Sequence, residues 1–172
     1  CGFLAAASGR PAITLDEFAM PDEMLRTLAC SAEGETVIVE GVMGLFDGTH
    51  GGRGSTAALA GKLELGVILV IDTRHQAQTA AAIAAGLAGE LPDGATLAGV
   101  ILNHIASPRH EQLIRRALSA RSITCFGALP SAAEVTVPSR HLGLVQSADL
   151  AAEGRLDAII EATADLVATH ID

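Results

Sequence analysis

Apolar and polar positions along the chain follow two rhythms that take turns. Continuous apolar runs occur at Thr36–Glu40, Gly66–Asp72 (GVILVID), Leu97–Asn103 (LAGVILN) and Ser122–Pro130 (SITCFGALP). Short runs rich in Val and Ile, bounded by turn residues, predict buried strands. Helical spacing fills the intervals. Pro21–Ala32 predicts a helix with Pro in its first turn and acids near its start. Ser55–Leu65 predicts another, with Ser55 or Gly54 near its cap. The alanine-rich Gln76–Leu91 and the amphipathic Pro108–Ala120 follow, the latter with Leu113, Ile114, Ala117 and Leu118 on one side. A Pro-containing loop then leads to HLGLV, and a last helix is predicted from Asp149, or from Arg155 after Gly154, to His170. Apolar strands alternating with amphipathic helices predict an α/β fold, a mostly parallel sheet with helices on both faces.

Sheets of this kind bind ligands beyond the carboxyl ends of their strands. Here the predicted strand ends carry Glu40, Asp72, Asn103 and Pro130. Seven positions after Glu40 comes a second acid, Asp47, inside the glycine-rich VEGVMGLFDGTHGGRGST. Glycines let a backbone come close to a ligand. Gly51, Gly52, Gly54 and Ser55 lead into a predicted helix start, an arrangement that suits anions and that Arg53 would assist. A structural role competes with each assignment. Glu40 could cap or salt-bridge at a strand end, and Asp47-Gly48 is a common turn pair. The loop glycines could supply flexibility alone, Asp72 could cap the helix after it, and Asn103 could be a turn residue. For Arg109 and His110 the solvated first turn of a helix is the favoured reading.

Composition narrows the field. The 172 residues are 49% hydrophobic, enough for a core and too many for a disordered segment. Aromatic residues make up 2%, and the net charge is −9. A base-stacking surface and a bulk field for polyanions are both disfavoured, so no nucleic-acid partner is expected. No apolar run reaches membrane-spanning length, and no signal peptide is visible. Cys1, Cys30 and Cys125 are scattered, which predicts free, mostly buried thiols and a cytoplasmic protein. His50, His75 and His104 lack ligand spacing, so zinc is not expected.

A phosphate-cradling Walker loop needs GxxxxGK followed by Ser or Thr. The single lysine, Lys62, follows Gly61, but Leu63 comes next and Thr56 stands where the first glycine belongs. The pattern fails, and Lys62 is expected on the polar face of a helix.

The text VEGVMGLFDG, followed by GSTAALA and GVILVID, resembles the cobyrinate a,c-diamide synthase family, including its hydrogenobyrinate version. QAQTAAAIAAG is similar to that family's QSAAA helix. GVILNHIASPRHEQLIRRAL is similar to its GVILNRVxSxRHxxxLxxAL segment. GALP and VPSRHLGLV are similar to its GALPR and ERHLGL motifs. The ordered series runs from about Gly2 to about Val145.

The resemblance implies a P-loop NTPase fold of the dethiobiotin-synthetase type. It implies an enzyme of cobalamin biosynthesis that amidates the a and c carboxylates of cobyrinate or hydrogenobyrinate with ATP and Mg2+. The implied route is a phosphorylated carboxylate attacked by ammonia, which a glutamine-hydrolysing domain supplies. A homodimer is left open. Glu40 and Asp47 would then be catalytic, Glu40 and Asp72 would serve the metal, and Asn103 and Pro130 would meet the adenine. Gly51, Gly52 and Ser55 would contact the substrate, with Arg140 and His141 of the RHLGL stretch facing a corrinoid carboxylate.

Two departures bear on this. The family opens with a strand and a phosphate loop and carries a CGPDYIDPGF segment, whereas this chain opens Cys1-Gly2-Phe3. The expectation is a stretch missing between Cys1 and Gly2. Residues 1–172 would then be one synthetase domain without its phosphate loop or its glutaminase domain, not competent alone. Cobyric acid synthase and nickel-tetrapyrrole a,c-diamide synthase are enzyme alternatives. A partition-type regulatory ATPase should show a membrane-targeting helix or a basic face, and neither is visible. A tetrapyrrole-binding module without turnover is the last alternative.

Overall fold

The computed structural model describes residues 2–32, 34, 36–132, 135 and 147–172. Three parallel strands form one sheet in the order β1 (Gly66–Asp72), β2 (Thr96–Ile105) and β3 (Cys125–Pro130). The links are helical, α4 (Thr79–Gly89) between β1 and β2, and α5 (Pro108–Ser119) between β2 and β3. Ahead of the sheet come α1 (Gly2–Ser8), α2 (Asp22–Cys30) and α3 (Thr56–Lys62); after it come α6 (Ser147–Ala152) and α7 (Leu156–His170). The predicted parallel α/β fold is what the chain adopts.

The core lies where α4 and α5 meet one face of the sheet. Leu69, Ile71, Val100 and Leu102 from the strands pack with Ala80, Ala81 and Ala84 of α4 and with Ile114 and Leu118 of α5. The alanines let α4 approach the strands closely. Each fully buried Leu, Ile or Val contributes roughly 1.5–3 kcal/mol. Ser107 caps α5, its hydroxyl accepting from the His110 amide at 3.2 Å, with Pro108 in the first turn. A second cluster joins Leu150 and Leu156 with Phe3, Ile159 and Ile160. The last residues return to the sheet, where Ile171 bridges Gly127 antiparallel.

Several expectations are corrected. Residues 36–40 belong to no strand, and Val37 and Ile38 are 46% and 80% exposed. A strand needs a neighbour for its backbone groups, and among the described residues none pairs with this run. The sheet is also not covered on both faces at β1, where Ile68 and Val70 are 51% and 64% exposed. Of the two starts predicted for the last helix, the one after Gly154 holds: α7 begins beyond that glycine, whose φ of 66° turns the chain, and the residues around Asp149 form the separate α6. Cys30 and Cys125 are free as expected, but Cys30 is exposed and Cys125 only half-buried, so the expected burial does not hold for them. Cys1 and HLGLV lie outside the described residues.

Candidate functional site

The strand register sets the ligand edge. Asp72 ends β1 opposite Asn103 of β2; Asn103 in turn faces Leu129 of β3, and Ile105 faces Pro130. His104 is the extra residue between those last two pairs, a bulge with φ 62°. Three of the four predicted strand-end residues therefore do lie at neighbouring strand ends. Glu40 does not, because its segment is outside the sheet; it is exposed and lines a cavity of about 870 Å³ together with Leu4, Ile13, Leu28 and Val37.

Each polar group at this edge is engaged. Arg74 clasps Asp72 through Nε at 2.9 Å and Nη2 at 2.5 Å, and the Arg74 amide adds a bond at 3.0 Å. These bonds hold the Asp72 carboxyl down to about 2, the guanidinium contributing most. Asn103 Oδ1 accepts the His104 amide at 2.9 Å. Thr73 is fully buried, and both its amide and its hydroxyl donate to the Asn103 carbonyl, at 2.9 and 2.8 Å. His104 Nδ1 lies 3.1 Å from Ser131 Oγ.

His110 corrects its own expectation. It is half-buried, and its ring joins two loops. Nδ1 accepts the Ala106 amide at 3.2 Å, so Nε2 carries the proton and donates to the Gln76 carbonyl at 2.7 Å. Gln76 in turn donates from Nε2 to the Asp72 carbonyl at 2.5 Å. The loops after β1 and β2 are thereby tied together behind Asp72 and Asn103. A histidine in a first turn looks solvated from its own neighbours; of its two partners, Ala106 is four positions away and Gln76 is 34. Arg109, beside it, is exposed as expected.

The glycine-rich segment is a folded loop. Asp47 Oδ2 accepts the Gly44 amide at 2.9 Å, and the Asp47 amide donates to the Gly44 carbonyl at 3.0 Å. Asp47 thus makes a turn while its side chain stays exposed. Thr49 donates twice to the Arg53 carbonyl, and the Gly52 amide donates to the Thr49 carbonyl at 2.9 Å. Gly51 and Gly52 have φ of 94° and 81° and open space around them. Such backbone favours glycine. Ser55 is buried; its hydroxyl accepts from the Ala58 amide at 3.1 Å and donates to the Gly52 carbonyl at 2.7 Å. The Ala57 amide is taken by the Leu45 carbonyl at 2.9 Å. The start of α3 is therefore satisfied from within, and Ser55 belongs to the frame of the loop. Arg140 and His141 lie outside the described residues.

The chemistry of the donors can be tested against Mg2+. Glu40 offers an exposed hard oxygen donor, but Asp72 is bound to Arg74. No group of three or more His, Cys, Asp or Glu side chains comes together among the described residues. The residues do not fit a preassembled metal centre. Nor is any helix among them long and apolar enough to cross a membrane.

Three parallel strands, helical crossovers and polar residues aligned at the carboxyl edge define an α/β domain of the kind that binds ligands beyond its strand ends. The family described as AAA domain matches residues 3–139, and the chain belongs to that family. Along nearly all its length the chain is also similar to hydrogenobyrinate a,c-diamide synthases. The one from Rhodobacter capsulatus is 46% identical over 99% of this chain and 39% of its own. Those from Brucella ovis and Rhizobium meliloti are each 42% identical, over 97% and 99% of this chain and 38% and 39% of theirs. The chain thus spans about 39% of the length of such curated relatives. No solved structure matches it.

Proposed function

We propose that the chain is the nucleotide-binding part of a ligase that amidates the a and c carboxylates of hydrogenobyrinate or cobyrinate in cobalamin biosynthesis, using ATP. The observation that carries this reading is identity of 46% across 99% of the chain with a hydrogenobyrinate a,c-diamide synthase. The aligned strand ends support it. Asn103 keeps an amide NH2 for an adenine edge, with Pro130 on the neighbouring strand to pack beside the base. The open backbone at Gly51 and Gly52 suits a carboxylate-rich corrinoid, and exposed Asp47 stands at the base of the same loop. Ammonia would come from a glutamine-hydrolysing domain and attack a phosphorylated carboxylate. Mg2+ enters this reading as the partner of nucleotide phosphates, which supply the hard oxygens it takes.

The experiment uses the full-length protein with ATP, Mg2+, glutamine and either corrinoid, and reads mono- and diamide by mass. Amidation of neither substrate overturns the proposal. Amidation of a nickel tetrapyrrole in their place would move the chain to that related enzyme.

A further inference from the structure

The turn at residues 16–22 has no part in the reading above, yet it grips the glycine loop from outside. Asp16 closes the turn on itself, Oδ1 accepting the Phe18 and Ala19 amides at 3.0 and 3.1 Å. Glu17 is 5% exposed, and a carboxylate so buried must be paired. Its Oε2 accepts the Gly54 amide, and Oε1 lies 2.6 Å from Lys62 Nζ. Lys62 also reaches Asp22 at 2.7 Å, so the lysine expected on the polar face of a helix joins two acids. Burial pushes the Glu17 carboxyl up, but the Lys62 bond, the Gly54 amide and the charges of Lys62 and Arg53 outweigh it and leave it below its ordinary value. Beside this pair the Arg53 guanidinium stands 5.1 Å over the Phe18 ring and donates to the Phe18 carbonyl at 3.3 Å.

The loop closures at Thr49, Gly52 and Arg53 are local and do not fix the loop relative to the rest of the chain. A glycine-rich loop is entropically costly to hold. The Glu17 and Phe18 contacts span 37 and 35 positions and supply long-range anchors, one of them charge-assisted.

We propose that the 16–22 turn is a latch on the glycine loop. Glu17 is its positioning residue, setting Gly51 and Gly52 for the substrate through the Gly54 amide, with Lys62 as its counter-ion. The substrate half of this inference rests on the loop reading given above; the latch itself does not. In the full-length protein, Glu17→Ala should raise amide hydrogen exchange at residues 48–55 about tenfold or more, the loss of one bond to a charged acceptor. The strands β1 to β3 should stay protected. Glu17→Gln keeps a carbonyl acceptor and should restore most of the protection. Glu17→Ala should raise KM for the corrinoid more than it lowers kcat, and Glu17→Gln should recover KM.

Unchanged exchange at residues 48–55 in Glu17→Ala overturns the latch, whatever the wild-type protein amidates. Wild-type KM in that variant overturns its role toward substrate. A wild-type protein that amidates neither corrinoid overturns the function instead, and the exchange result still decides the latch. If Glu17→Ala fails to fold, Arg53→Ala removes the Phe18 contacts from the surface side and must loosen residues 49–54; unchanged exchange there overturns the latch.

Discussion

Asp72 and Asn103 are register partners at the ends of adjacent parallel strands, and Arg74 holds the first of them through two guanidinium nitrogens, Nε and Nη2. A ligand that approaches the Asp72 carboxylate competes there with Arg74. The pair has a definite signature in pH. Arg74 keeps the folded-state value at about 2, below the ordinary value of about 3.9. A depressed carboxyl stabilises the fold fully above its unfolded value, and that contribution fades as pH falls toward the folded one. Carbon-13 titration should therefore place the Asp72 midpoint near 2. In Arg74→Ala the midpoint should rise toward about 3.9. A midpoint that does not move between the two proteins would refute the pairing.

His110 is expected to matter for stability and for the nucleotide edge together. His110→Ala removes two bonds, an exposed one to Ala106 and a half-buried one to Gln76. At roughly 0.5–1.5 kcal/mol each, the variant should lose about 1–3 kcal/mol in urea unfolding. Because Gln76 is bonded to the Asp72 carbonyl, ATP affinity should weaken as well. Arg109→Ala, one position away and exposed, should change neither, within about 0.5 kcal/mol. Equal effects from both variants would show that position in the helix, rather than the ring's two bonds, is what counts.

The difference between His110 and Arg109 shows what a sequence can carry. The apolar runs at Gly66–Asp72 and Leu97–Asn103 became strands because their side chains have a core to enter, a property the run itself reports. Val37–Val39 is as apolar, but membership of a sheet depends on a neighbour, and the run does not report its neighbours. Asp72, Asn103 and Pro130 could be placed at one edge because parallel strands bring their carboxyl ends together. Glu17 escaped notice because an acid in an aperiodic stretch carries no local signal; its partners Gly54 and Lys62 are 37 and 45 positions on. His110 is hidden in the same way, because its Gln76 partner lies 34 positions back. The one sequence feature that bears on the Glu17–Lys62 pair is the single lysine, Lys62, in a chain with 20 acids.

Asp47 separates chemistry from shape. Its Oδ2 accepts the Gly44 amide, a bond that an asparagine carbonyl oxygen can also accept. Asp47→Asn should therefore unfold within about 0.5 kcal/mol of the wild type, as exposed substitutions generally do. If the carboxylate takes part in amidation, the same variant should lose turnover almost completely in the full-length protein. Near-normal amidation would leave Asp47 as a turn residue only.

Gly127 tests how the last helix is tied to the sheet. A Cβ built there would run into the His170 carbonyl oxygen and stand 2.7 Å from Ile171 Cα, both backbone atoms that cannot rotate away. Gly127→Ala must then push the end of α7 off β3. The Asp172 amide, which donates to the Phe126 carbonyl at 2.8 Å, would lose its partner, and so would the Gly127–Ile171 bridge. The expected cost is about 1–3 kcal/mol, the usual range for overpacking. It should fall on the C-terminal segment, because the main core of β1, β2, β3, α4 and α5 holds no residue of α7. Hydrogen exchange should accordingly speed up in residues 167–172 while Val100 and Leu102 keep their protection. Uniform loss of protection across both regions would mean that α7 and the sheet unfold as one unit, and that the tie at Gly127 supports the whole core.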